Sequence, residues 1–249
     1  MGRLVIANWK MNLALPDAEA LAAAEAKVAE AHPGLTVSLA VPTIWLPSLH
    51  AALRFKPQNL SLCAQSVSDI AEGAYTGDTA AFQVKPFVTY ALVGHSERRR
   101  YHQETGLRVA HQIKRLVEQG ITPVVCFGEM RQSVQSTFSP QVTVDLGRDL
   151  QGLHKDELAA CVFAYEPLWA IGTGHPADAK YVQKALSHVK DWLSDTYHQD
   201  LSVLYGGSVT DKNAAELSQI KELDGVLVGG ASLQAKQFAA ICGAFHERV

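Results

Sequence analysis

The amino-acid sequence predicts an α/β fold in which eight parallel strands close into a (β/α)8 barrel. Three observations carry that expectation. Short β-rich runs recur eight times along the 249 residues, and a strand–helix unit of about 30 residues repeated eight times fills a barrel of the usual ~250 residues. Most runs are continuously apolar, as strands covered on both faces are. Helical periodicity returns between them. An open doubly wound sheet shares this alternation, but eight units with no leftover segment favour closure.

The expected strands are residues 4–7, 36–41, 60–64, 90–93, 122–127, 160–165, 202–205 and 225–228. Among the helices, 16–31 has Pro16 just inside its start and Pro33-Gly34 beyond its end, the asymmetry that brackets a helix. The segment 104–119 stops at Gly120, a residue suited to a left-handed cap. In 178–195, Val182, Ala185, Leu186, Val189 and Leu193 keep helical spacing behind Asp178 as N-cap. A last helix is expected from Ser232, with short ones near Ser48 and Thr79 and a poorly patterned one near Val142. No linker or low-complexity tract divides the chain, so residues 1–249 are expected to form a single catalytic domain.

Hydrophobic residues make up 47% of the chain and charged residues 19%, which excludes a disordered or fibrous protein. A net charge of −3 gives too little field to expect nucleic acid or a membrane surface as partner, so a bound anion must be held locally. Residues 4–7 are too short for a signal peptide, Ile6 stands where a myristoylation signal needs Ser or Thr, and no run approaches a membrane span. Cys63, Cys126, Cys161 and Cys242 form no C-x-x-C pair, so the expectation is reduced core thiols in the cytoplasm, without a zinc or redox centre. Asn59-Leu60-Ser61 is a glycosylation sequon only in form, because it lies in an apolar strand run.

Polar and glycine-rich residues cluster just after the strands: Asn8 and Lys10, Gln65, His95, Glu129, Glu166, Gly206-Gly207-Ser208 and Gly229-Gly230. Singly each is weak, since a lone histidine is more often structural and Glu166 before Pro167 could begin a turn. A barrel gathers all of them on one rim, where such folds keep their chemistry. The glycines after the last two runs are expected to enter helices whose free N–H groups hold an oxyanion. Gly172-Thr173-Gly174-His175-Pro176-Ala177 superficially fits a dinucleotide turn, but it does not follow its strand directly and Pro176 interrupts it. Residues 167–177, with Trp169 and Ile171 beside glycines, suit a lid instead.

Asn8-Trp9-Lys10-Met11-Asn12, Gly94-His95-Ser96-Glu97-Arg98-Arg99, Cys126-Phe127-Gly128-Glu129, the stretch from Ala164-Tyr165-Glu166-Pro167 to Gly172-Thr173-Gly174, Tyr205-Gly206-Gly207-Ser208-Val209 and Leu227-Val228-Gly229-Gly230-Ala231-Ser232-Leu233 occur in that order. Together they resemble the triosephosphate isomerase family over essentially the whole chain, with residues 130–149 the weakest part. The resemblance implies a TIM barrel that interconverts dihydroxyacetone phosphate and glyceraldehyde 3-phosphate with no metal or organic cofactor. It implies Glu166 as the base, His95 as a neutral hydrogen-bond donor, Lys10 as fixed positive charge, Asn8 as a polarising group and Glu97 as support for the lysine. Gly172, Ser208, Gly229 and Gly230 would hold the phosphate, with Asn8 and Lys10 also at the substrate. Pro167, Trp169, Ile171, Gly172, Thr173, Gly174 and Ala177 would form the lid. A helix opening at Ser96 would keep His95 uncharged through its positive end.

The family is normally a homodimer built around the loop after the third strand. The long 65–78 segment suits a docking loop, in which Gln65 and Thr76 would meet the neighbour and Asp78 would pair with Arg98. Ser66 and Asp78 depart from the commonest pattern, where Asn and Glu stand. His175-Pro176 departs at the lid's far hinge, and the fixed proline backbone is expected to alter lid opening while leaving chemistry intact. Two rivals fit less well. A metal-dependent phosphosugar epimerase needs more rim histidines than His95, and a non-catalytic phosphate-binding barrel has no use for Glu166, His95 and Lys10 together.

Overall fold

The structure, a computed structural model, describes residues 3–130, 140–170 and 176–246. Its strands are β1 (Leu4–Asn8), β2 (Thr36–Val41), β3 (Leu60–Ala64), β4 (Tyr90–Val93), β5 (Thr122–Glu129), β6 (Val162–Pro167), β7 (Val203–Tyr205) and β8 (Gly225–Val228). All neighbours pair in parallel and β8 returns to β1, so the barrel closes in sequence order. The helices are α1 (Leu15–Ala31), α2 (Leu46–Ala52), α3 (Ala81–Val84), α4 (Ser96–His102), α5 (Gly106–Glu118), α6 (Pro140–Asp149), α7 (Lys155–Ala159), α8 (Ala179–Tyr197), α9 (Ala214–Ser218) and α10 (Ala235–His246).

The strands alternate between two apolar layers. Leu4, Ile6, Ala40, Cys63, Leu92, Val124, Cys126, Val162, Ala164, Leu204 and Leu227 fill the barrel interior, while Val5, Ala7, Val125, Phe163, Tyr165 and Val203 face the helices. Period two explains this. Both layers are apolar, so each strand reads as a continuous run. Continuing the alternation past the carboxyl ends sends Asn8, Gln65, Gly128, Glu166, Gly206 and Gly229 inward as the layer above.

Four expectations need correction. The sixth strand starts at Val162 and not at 160, because α7 ends immediately before it and Ala160 is that helix's C-cap. The fifth runs to Glu129, carried by pairing through Gly128↔Glu166 and Glu129↔Pro167. The helix expected from 104 begins at Gly106, with Thr105 as N-cap. Gly206-Gly207-Ser208 does not lead directly into a helix, since α9 starts only at Ala214, and Gly230 opens a four-residue 3-10 turn that precedes α10. Gly120, by contrast, ends α5 as expected at φ +63, with Ile121 N–H reaching Leu116 O in a Schellman arrangement.

Closure depends on Gly225, opposite Leu4 in the β8–β1 seam. A Cβ there would lie 1.8 Å from Leu4 O. Gly225→Ala is therefore expected to cost about 3 kcal/mol, the upper end of overpacking, read as a lower urea midpoint; an unchanged midpoint would contradict this account of the seam.

Candidate active site

Glu166, the penultimate residue of β6, points inward and is almost fully buried. Glycines stand on both sides of it, Gly128 on β5 and Gly206 just past β7. A Cβ at Gly206 would lie 3.1 Å from Glu166 Cγ, and one at Gly128 would lie 1.7 Å from Glu166 O. The carboxylate rests on two donors: Ser96 N–H gives 3.1 Å to Oε2, and His95 Nε2 lies 3.1 Å from Oε1. Ser96 escaped the sequence reading as a contact, although its place as the first residue of a helix marks its amide as a free donor.

His95 is the N-cap of α4, and its Nδ1 accepts from Glu97 N–H at 3.3 Å. With Nδ1 accepting there, the ring's other nitrogen, Nε2, is the one turned to Glu166. Asn8 Nδ2 lies 3.4 Å from the same Nε2. The helix end was expected to favour the uncharged ring, lowering its pKa; the net direction here is upward. Burial opposes the charged ring most strongly, but the charge and hydrogen bond of Glu166 and the charge of Glu97 together outweigh it, with Lys10 acting the other way. A carboxylate in direct contact favours the charged ring.

Lys10 takes the left-handed conformation at φ 54, uncommon for a residue with a side chain. Three hydrogen bonds hold it. Its N–H donates to Asn8 Oδ1 at 3.1 Å, its carbonyl accepts from Gln65 Nε2 at 2.9 Å, and its Nζ donates to Glu97 Oε1 at 2.6 Å. Gln65 thus works within the chain, also donating to Ala40 O. Asn8, Lys10, His95, Glu166, Ser208, Gly229 and Gly230 all line one cavity of about 320 Å³. A larger one of about 660 Å³, at the opposite end of the barrel among Arg3, Thr36, Lys190 and Asp224, holds no imidazole beside a carboxylate; size alone does not select the site. Among the described residues no three His, Cys, Asp or Glu side chains converge on a metal position.

The first residues of the expected lid are tied down at Glu129. Leu168 N–H donates to Glu129 O at 3.0 Å, Tyr165 OH and Trp169 Nε1 donate to Oε1 at 2.7 and 3.3 Å, and Tyr181 OH reaches the same oxygen. Tyr181, partly buried against the core, is a contact the sequence reading missed; a lone tyrosine in a helix carries no signal for it. Ser208 Oγ donates to Ala170 O at 3.1 Å. Pro167 and Ala177 are buried, while Ile171, Gly172, Thr173, Gly174 and His175 lie outside the described residues, and with them the Gly172 phosphate contact and the hinge effect of Pro176. Thr76 and Asp78 are exposed. Within the chain Asp78 accepts from Ser68 Oγ and Arg98 Nε donates to Glu104, so a 78–98 pair would have to form between two chains.

The contact between Glu166 and His95 sets the imidazole's titration. Glu166→Gln, which removes the charge and keeps the size, is expected to lower the His95 pKa in a ring-proton NMR titration; an unchanged value would mean that the two groups do not touch in solution.

Residues 3–245 match the family model described as Triosephosphate isomerase. Proteins named triosephosphate isomerase from Bordetella pertussis and Cupriavidus necator are each 40% identical, over 97% of both chains for the first and 96% of this chain and 98% of the relative for the second. A third, from Dehalococcoides mccartyi, is 37% identical over 97% of this chain and 96% of its own. With the barrel, the rim and a match over nearly its whole length, the chain belongs to the triosephosphate isomerase family.

Proposed function

We propose that this chain interconverts dihydroxyacetone phosphate and D-glyceraldehyde 3-phosphate, the isomerase step of glycolysis and gluconeogenesis, and that residues 1–249 act as one catalytic domain in the cytoplasm. The observation that supports the reading best is the buried Glu166 carboxylate beside the His95 imidazole and the Lys10 ammonium, all in one cavity. Proton transfer between adjacent carbons needs a base on one face of the substrate and donors at its two oxygens. Glu166 is the base, moving from Ser96 and His95 to the substrate carbon. His95 offers its Nε2 hydrogen and Asn8 its Nδ2 hydrogens to the oxygens. Lys10 stabilises the enediolate's charge, and Glu97 fixes the ammonium without entering the cavity. The amides of Gly172, Ser208, Gly229 and Gly230 take the phosphate; around Gly230 a Cβ would meet nothing within 4 Å, so its backbone is open to a ligand. The lid 167–177 then excludes water, which strengthens every one of these interactions.

The functional unit is a homodimer docked through the loop 65–78. Met11, Ile44, Tyr75, Phe82 and Tyr101 are exposed apolar side chains, and Tyr75 and Phe82 border one hollow of that loop. Apolar surface of this kind marks an interface. Arg108 anchors the loop to α5 through Asp69 at 2.8 Å. In this arrangement Thr76 reaches the neighbouring site, and Asp78 of one chain pairs with Arg98 of the other.

In a coupled assay with chelator present, wild type should be active and Glu166→Gln should lose about 10²–10⁴-fold in kcat, the usual worth of a positioned base. Activity unchanged in the variant refutes the base, and an inactive wild type favours a binding role. Tyr75→Asp combined with Phe82→Asp should shift sedimentation from dimer to monomer, whereas an unaltered dimer would place the interface elsewhere.

A further inference from the structure

Outside the catalytic cavity, a group that the reaction does not use stands out in α1. The Glu25 carboxyl is fully buried. Its Oε2 accepts from Trp9 Nε1 at 3.1 Å, and its Oε1 has no hydrogen-bond partner. Ala18, Ala22, Val28 and Ala29 share its face of the helix, small or apolar residues that leave room for the indole. Burial raises the carboxyl's pKa well above the carboxylate range, and the Trp9 hydrogen bond lowers it only in part. A buried carboxylate with no cation is costly, so the group keeps its proton.

Trp9 stands between Asn8 and Lys10. It is fully buried in the outer apolar layer, and a buried indole N–H needs an acceptor. Its carbonyl accepts from Asn12 Nδ2 at 2.6 Å. Lys10 is therefore held from inside the barrel by Asn8 and Gln65, and from outside by the tryptophan before it.

We propose that Glu25 is a positioning residue for Lys10: it holds the Trp9 indole and, through it, the backbone that sets the lysine in the cavity. The proposal rests on the assignment of Lys10 to the substrate site. The groups around the carboxyl leave its titration simple. β1 and β2 contribute no ionisable side chain. On α1, Asp17, Glu19, Lys27 and Glu30 are exposed. On α2, exposed His50 packs edge-on to Phe87. On α10, Lys236 is exposed, His246 packs edge-on to His32, and Cys242 faces Glu25, its thiol pushed up first by burial and then by that carboxyl.

The test is a variant cycle with kcat and KM measured separately. Glu25→Leu strands the indole N–H and should lower kcat/KM about tenfold, mainly through KM. Glu25→Gln still offers an oxygen and should restore most of the activity. In a Trp9→Phe background Glu25→Leu should do nothing further. A second readout is stability. The native carboxyl binds its proton above the ordinary value near 4.5, so its contribution is complete below that pH and is lost as pH rises toward the native value. Wild type should thus lose melting temperature relative to Glu25→Gln as pH rises above about 4.5. Additive Leu and Phe effects, failure of Gln to restore activity, or parallel melting profiles overturn the proposal. Should Glu25→Leu not fold, the Gln variant and the melting profiles decide. An inactive wild type would refute the reaction, with the melting arm still reading Glu25.

Discussion

The alternation of side chains along closed parallel strands is the constraint from which the rest follows. With Ala164 facing the barrel interior, Glu166 must face it too, one layer higher. Gly206, just past β7, leaves room for the Glu166 side chain, and Gly128 on β5 lets the two strand backbones approach. The same period sends Asn8 inward and Trp9 outward, so consecutive residues serve the cavity and the helix layer respectively. Closure then converts sequence separations of tens of residues into contacts of about 3 Å.

Electrostatics in this layer is settled by direct contacts. Glu166 lies against the imidazole, Glu97 gives that ring its backbone N–H and takes the Lys10 ammonium on its side chain, and Asn8 spans the two. One residue thus fixes both the tautomer of His95 and the place of Lys10. The positive end of α4 has a different role from the one the sequence suggests: its first free amide, Ser96 N–H, holds the resting carboxylate.

Much of this was legible in the sequence, for physical reasons. Strands buried on both faces produce unbroken apolar runs, which located β2, β3, β4 and β8 to the residue. Helix α8 declared itself through its apolar stripe and Asp178, whose side chain accepts from Lys180 N–H. The short helices did not: α7 and α9 have five residues each, too few for a period to register. At the site, the motif residues were legible because polar groups after apolar strands are conspicuous. Tyr181 and Glu25 were not, since one looks like a surface residue of α8 and the other like a solvated charge on α1, and only packing shows that they reach Glu129 and Trp9.

The most direct measurement is a crystal structure of the chain with a hydroxamate analogue of the enediolate phosphate. The account predicts the phosphate on the amides of Ser208, Gly229 and Gly230, the hydroxamate oxygens within hydrogen-bond reach of His95 and Lys10, and the Glu166 carboxylate withdrawn from Ser96 toward the ligand. Ligand bound at the opposite end of the barrel, or a Glu166 still on Ser96 and out of reach of it, would contradict the account.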